Sequence, residues 1–456
     1  MMSDKKSLRM DMVHGPLLKN IIEFAVPMML ASMLQMMFSA ADTIIVGKFA
    51  GELALAAVGA TGSLCFLLVS LFNGLSAGSN VVIATLLGKQ DEEGVQKAVH
   101  TSITMATVGG ILMAFVGFFL AKPMLHMMAT PSDIIDLSTL YMRLYFVGCI
   151  FMFVYNFGSS ILRSKGDTKR PMYYLAISGA LNVALNVFFV VVLHISVAGV
   201  AIATVISQAV AAGLTCARLM RDQDVTHLDL KKLGIDTHIA WEIIRIGVPA
   251  GIQGMVFSLS NVVIQSSINS FDSSTIVAGN SAGNSVEGFV YIGMMAFSQA
   301  AITFTGQNVG AKNYGRVKSI MYITMLLSCI GSLTLGFGVW YFGDFFLGLY
   351  TNEPLVIEVG MIRLTWVALP LVLNGILDIF ICSMRGMGHS TFPTIVMIVG
   401  ICGIRFLWLG TYFLTHRTLE AIYMCFPVSW TITSIILGIL WVYCYKKLMK
   451  ESTSVC

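Results

Sequence analysis

Residues 163–171 read RSKGDTKRP, and 222 residues further on residues 385–393 read RGMGHSTFP. Arg163 falls on Arg385, Gly166 on Gly388 and Pro171 on Pro393, and the coincidences continue at the same offset in both directions. Pro27 falls on Pro249, Ser76 on Ser298, Gly88 on Gly310, Val95 on Val317 and Ser207 on Ser429. An ordered, gapless series of this kind marks an internal repeat, a recurrent feature of membrane proteins built from two related halves.

What is repeated follows from composition. Of the 456 residues 56% are hydrophobic and only 11% charged, against about 25% charged in an average soluble domain. So few charges cannot cover the surface of a soluble fold this long, so lipid must face much of the chain. A membrane-spanning helix needs about 20 mostly apolar residues. Such stretches fall near 21–46, 54–87, 98–120, 138–161, 171–193, 197–217, 243–268, 277–308, 319–346, 359–384, 394–415 and 421–445. The expected fold class is an all-α integral membrane protein: twelve transmembrane helices in two pseudo-symmetric six-helix lobes. Each repeat holds an even number of spans, so both enter the membrane in the same sense, as parallel repeats. The expected division is an N-terminal lobe at 1–217, a cytoplasmic linker at 218–239 and a C-terminal lobe at 240–456.

The basic residues orient the chain. With both termini inside, the inner segments carry 22 of the 28 Lys and Arg, leaving Lys48, Lys122, Arg143, Arg363, Arg405 and Arg417 elsewhere. That asymmetry follows the positive-inside rule, and the location expected is multi-pass with both termini cytoplasmic. The charged N-terminus precedes a long apolar stretch with no small-residue cleavage site, which reads as a retained first span. Eight of the nine cysteines (Cys65, Cys149, Cys216, Cys329, Cys382, Cys402, Cys425, Cys444) lie inside apolar runs without C-x-x-C pairing. They read as packing residues, and no metal or cofactor is expected from them.

Ionisable residues within spans are costly and mark function by default. Asp42, in LQMMFSAADTIIVG, lies about 6 Å from the outer end of the first span at the helical rise, with Gln35 two turns earlier on nearly the same face. Asn182 and Asn186 are i, i+4 neighbours in the fifth span, and Asn186 and Thr204 of the sixth lie about 10 Å deep from the same side. These groups can converge. A carboxylate among amide and hydroxyl oxygens suits a small hard cation such as Na⁺ and equally suits taking up and releasing a proton; packing hydrogen bonds between helices are the bland alternative. The second half does not copy the set: at the 222 offset Asp42 meets Ile264, Asn182 meets Ile404 and Asn186 meets Trp408. It carries instead Glu287, Asp378 and Arg405. Asp378 and Arg405 could pair with each other, a mainly structural role, since a buried charge wants a partner. Glu287 has no evident cationic partner and is the candidate for attracting a cationic substrate. The 29 Met and 28 Phe residues add soft surfaces of the kind adaptable sites use.

AVPMMLASMLQMMFSAADTIIVGKFAGELALAAVG, GALNVALNVFFVVVLHISVAGVAIATVISQ, and GVPAGIQGMVFSLSN with SQAAITFTGQNVGAKNYGRVK resemble the first, the fifth and sixth, and the seventh and eighth spans of the multidrug and toxic compound extrusion (MATE) family. The resemblance covers residues 15–447 and is nearest to the bacterial branch with a first-span Asp. It implies an antiporter of the bacterial plasma (inner) membrane, exporting small, often cationic or amphipathic drugs or metabolites. Export would be coupled to Na⁺ or H⁺ entry by alternating access of two lobes. It implies coupling-ion roles for Asp42, Asn182, Asn186 and Thr204, with Na⁺ the one metal ion such a set would hold. Substrate-binding roles fall to Gln35, Asn156, Glu287 and Asp378. Asn186 departs from the pattern, standing where many relatives of this branch carry a second Asp. The expected partners are the lipid bilayer and a small-molecule substrate, for a monomer that binds no nucleic acid. The alternatives are a flippase or exporter of lipid-linked sugars with a similar fold, or a channel or receptor. An enzyme is not expected: H-E-x-x-H is missing and no convincing catalytic dyad stands out.

Overall fold

The computed structural model describes residues 10–128 and 130–453. Among them are no strands and twelve helices long and apolar enough to cross a membrane. These are α1 (Leu17–Ala50), α2 (Glu52–Lys89), α3 (Glu92–Met127), α4 (Ile135–Ser164), α5 (Lys169–Val192), α6 (Val197–Arg221), α7 (Thr237–Asn269), α8 (Ser274–Gly310), α9 (Tyr314–Tyr341), α10 (Pro354–Gly386), α11 (Thr391–Thr415) and α12 (Leu419–Lys450). Each of the twelve apolar stretches in the sequence has become one helix, extended into its polar flanks where water or caps satisfy the end groups. Asp91 caps α3 by accepting from the Gly94 N–H at 2.9 Å, and Ser273 caps α8 through the Ile276 N–H at 3.4 Å.

The 222-residue repeat is written into the backbone itself. Gly166 and Gly388 both turn with positive φ, 92° and 85°, and Gln90 and Lys312 do so at 59° and 56°. Glycine relieves the Cβ clash of the left-handed corner after α4 and after α10, which is why it recurs in RSKGD and RGMGH. Pro27 inside α1 and Pro249 inside α7 also correspond, each removing one helical hydrogen bond.

The chain packs as two compact units, one formed by Leu30–Gly251 and the other by Asp11–Met29 together with the chain from Ile252 onward. Where the sequence divides the halves at 217 and 240, packing divides them inside α1 and α7. Both changes of allegiance come shortly after the proline, where the helix is weakest. In the second unit, Asn308 Nδ2 donates to the Met12 carbonyl at 3.0 Å, Arg316 Nη2 to the Gly15 carbonyl at 2.6 Å, and Phe24 meets Phe304 edge-on at 5.6 Å.

In the first unit the core lies among α2, α3 and α4, where Phe72 stacks on Phe153 at 4.1 Å and Met142, Phe146 and Phe157 are fully buried. Small polar residues let these helices approach and bond: Ser79 to Ser102 at 2.6 Å, Asn80 Nδ2 to the Ser160 carbonyl at 3.1 Å, as lipid-facing bundles favour. At the end of α4, buried Lys165 donates to Asp222, to Asp224 Oδ2 at 3.0 Å and to Thr226 Oγ1 at 2.9 Å, and Arg218 also holds Asp222. This network fastens the segment after α6 to the α4 corner. Burial works against the Asp224 carboxylate, but Lys165 and the Thr226 donors outweigh it and hold it below the ordinary carboxylate range. Its share of stability is therefore complete above its unfolded value of about 3.9 and drains only as pH falls through the lower folded one. Lys165→Met strips the central cation from two carboxylates and is expected to cost about 3 kcal/mol, read as a lower melting midpoint of the detergent-purified protein and faster proteolysis between Arg218 and Thr237.

Candidate functional site

In the first unit α1, α4, α5 and α6 line a cavity of about 220 Å³, and Asp42 is the one carboxylate on its wall among the described residues. Gln35 and Ser39 continue the α1 face beside it. The Phe38 ring presses against α5 where Gly179 has no side chain, and a Cβ there would overlap the ring. Tyr141 and Tyr145 of α4, stacked at 6.1 Å, form part of the opposite wall.

The polar residues of α5 and α6 meet Asp42. Asn186, wholly buried, donates to Asp42 Oδ1 at 2.5 Å. The Asn182 amide also lies against Asp42, its nitrogen donating to Asp42 Oδ1 at 2.7 Å, which suits an ionised carboxylate. Asn186 Oδ1 is buried with no hydrogen-bond partner among the described residues, an exception to the rule that such atoms are satisfied. Local backbone geometry frames the cluster: α1 passes into a π-helical turn at Val46–Ala50 and α5 into another at Val187–Val192. Val46 and Val190 are buried in one apolar cluster. π-turns of this sort occur frequently at functional positions. Asn156 of α4 is half-buried and does not line this cavity.

The second unit has a cavity of about 330 Å³ between α7, α8, α10 and α12. Here Glu287 is not unpartnered, as its sequence context suggested. Arg363 donates to Glu287 Oε2 from Nε at 3.0 Å and from Nη2 at 2.8 Å, and to the Asn280 and Asn284 oxygens at 2.6 and 2.8 Å. Tyr423 Oη donates to the same Asn280 oxygen at 3.0 Å. Arg363 counts as an outer residue by position along the chain, yet α10 begins at Pro354, which carries it about 13 Å into the helix. The Asp378–Arg405 pair does not form either. Asp378 is half-buried with no ion pair among the described residues, and Arg385, a neighbour in its field, donates to Gln253 Oε1 at 2.8 Å. Arg405 instead lies among Phe257, Phe426 and Trp430, its guanidinium 5.6, 4.3 and 6.0 Å from their centroids. Three aromatic faces take the place of a carboxylate beside a fully buried cation.

A family model described as MatE matches the chain twice, over residues 27–188 and 249–408, starts separated by the same 222 residues. "Probable multidrug resistance protein YpnP" of Bacillus subtilis (strain 168) is 29% identical over 377 residues, 80% of this chain and 83% of the relative. "Probable multidrug resistance protein YoeA" of the same organism is 26% identical over 434 residues, 93% of each. Among solved structures, "Crystal structure of MATE in complex with MaL6" shares the fold with a TM-score of 0.90 at 20% identity, over 96% of this chain and 98% of that one. With a doubled family match across both halves and twelve spans to carry it, the chain belongs to the MatE family, the multidrug and toxic compound extrusion transporters.

Proposed function

We propose that this protein is a secondary active exporter of small amphipathic or cationic molecules, driven by entry of Na⁺ or H⁺ through alternating access of its two halves. The observation that carries the reading is Asp42, a lone carboxylate among the described residues on the wall of a cavity, with the Asn186 and Asn182 amides against it. With Asp42 ionised, Asn182 and Asn186 both donate to it. With a proton or Na⁺ present, Asn182 turns its oxygen inward, and the unpartnered Asn186 oxygen and the Thr204 hydroxyl complete an oxygen set suited to a hard cation. The charge state of one residue would thus reorganise the contacts between α1, α5 and α6. A coupling ion must have differential affinity of this kind for two conformations. Gln35 and the Tyr141–Tyr145 wall beside the cluster are the substrate surface on this reading. The printed names of YpnP and YoeA as probable multidrug resistance proteins point the same way, and the basic asymmetry supports both termini in the cytoplasm of a bacterial inner membrane.

Purified protein in vesicles, loaded with a cationic dye and subjected to separate Na⁺ and H⁺ gradients, tests this. One gradient is expected to drive dye against its concentration at least about fivefold faster than no gradient. Dye movement insensitive to both gradients would overturn the coupling.

A further inference from the structure

The two cavities occupy equivalent places in the repeat, yet their charged residues differ: Asp42 alone on the first wall, Glu287 with Arg363 on the second, and Arg405 beyond its aromatic lining. At the 222 offset the wall residues of the first coincide with those of the second: Gln35 with Phe257, Ser39 with Asn261, Asp42 with Ile264, Tyr141 with Arg363, Thr204 with Phe426 and Gln208 with Trp430. The duplicated wall has lost its carboxylate at Ile264 and gained a guanidinium at Arg363. Behind it stands Arg405, where the first half has Val183. One carboxylate, Glu287, serves two guanidiniums, and its bonds go to Arg363. Arg405 has none: its donors reach only the Ser429 and Ser260 hydroxyls at 3.3 and 3.4 Å, and Nη2 is buried without a partner among the described residues. A buried cation without a carboxylate is only partly compensated by ring faces, and the rings around it are themselves the cavity wall.

We propose that the cavity of the second unit receives the anionic end, a carboxylate, of an amphoteric substrate. The one positive charge by which Arg363 and Arg405 together exceed Glu287 supplies the attraction. The amide nitrogen of Asn284, whose oxygen is already taken by Arg363, and the Asn261 amide on the same wall supply donors. Phe426 and Trp430 supply the apolar face. Glu287 keeps Oε1 clear of Arg363, since both bonds go to Oε2, leaving that oxygen for the ligand's cationic nitrogen. The inference rests on the export reading for its biological sense, but binding alone tests it.

The probes are a rhodamine bearing a free carboxylate and its methyl ester, which differ in that one charge. Binding to the purified full-length protein is followed by fluorescence anisotropy, and vesicle exchange by dye release. Arg405→Gln is expected to weaken binding of the carboxylate dye on the order of tenfold and that of the ester less than about twofold, whereas Arg405→Lys retains the preference. Should Arg405→Gln fail to fold, Asn284→Asp adds a negative charge beside Arg363, where it is well paired, and is expected to produce the same selective loss. Equal effects on both dyes, or none on either, would overturn the anion site. Wild-type protein that binds the carboxylate dye selectively but exchanges neither dye would overturn the export reading and leave the site standing.

Discussion

Asp42→Asn is expected to cut gradient-driven dye exchange by on the order of 100-fold, with insertion, monodispersity and equilibrium dye binding changed by less than about threefold. Asn has the same shape, and its oxygen still accepts from Asn186 Nδ2, which now bonds to Asp42 at 2.5 Å. What is lost is the charge, and with it, on the proposed coupling role of Asp42, the difference between an ion-bound and an ion-free state. A transporter that has no differential affinity for the coupling ion in its two conformations cannot be moved by that ion, however well it binds substrate. Removing a partly buried charge also lifts a desolvation cost, so the variant should melt no lower than wild type. Asp42→Glu keeps the charge but pushes it about one bond further into the 220 Å³ cavity, and should retain part of the coupling. Undiminished exchange by Asp42→Asn against an imposed gradient would remove Asp42 from the coupling step.

The scaffold is legible in the sequence because membrane helices are specified by length and hydropathy, which a linear reading captures. The repeat was equally open to view, down to the glycines at 166 and 388 that turn with positive φ. The polar residues of the first half could be gathered from helical spacing and position along the spans, and Asp42, Asn182, Asn186 and Thr204 of three helices do meet. Pairing between helices in the second half could not. Arg363 was hidden by its position near the end of an apolar run, although the helix begins at Pro354. For Arg405 the sequence offers Asp378 as one possible partner, because a one-dimensional reading has no way to see three rings closing around a guanidinium. The exchange of helix starts between units was also invisible, though the prolines just before it stand at a common offset.

Arg363→Met should be the most destabilising single change in the second unit, at about 3–5 kcal/mol. It strands Glu287, whose side chain is 14% exposed, and leaves the Asn280 and Asn284 oxygens without the donors that now reach them at 2.6 and 2.8 Å. At roughly 2–4 °C per kcal/mol for a unit of about 200 residues, the melting midpoint in detergent should fall by roughly 6–20 °C. Two causes can produce such a fall, because Arg363 also lies over the Tyr423 and Phe426 rings at 5.7 and 5.9 Å. Combining Arg363→Met with Glu287→Gln separates them. If the stranded carboxylate dominates, the double variant should recover most of the loss, since both charges are gone and Met still packs on the rings. If lost packing and amide bonding dominate, the double variant should melt as low as Arg363→Met alone, and the ion pair would contribute little to holding α8 against α10. Recovery is the expected result: the desolvation of a lone carboxylate in this position exceeds what two distant ring contacts contribute.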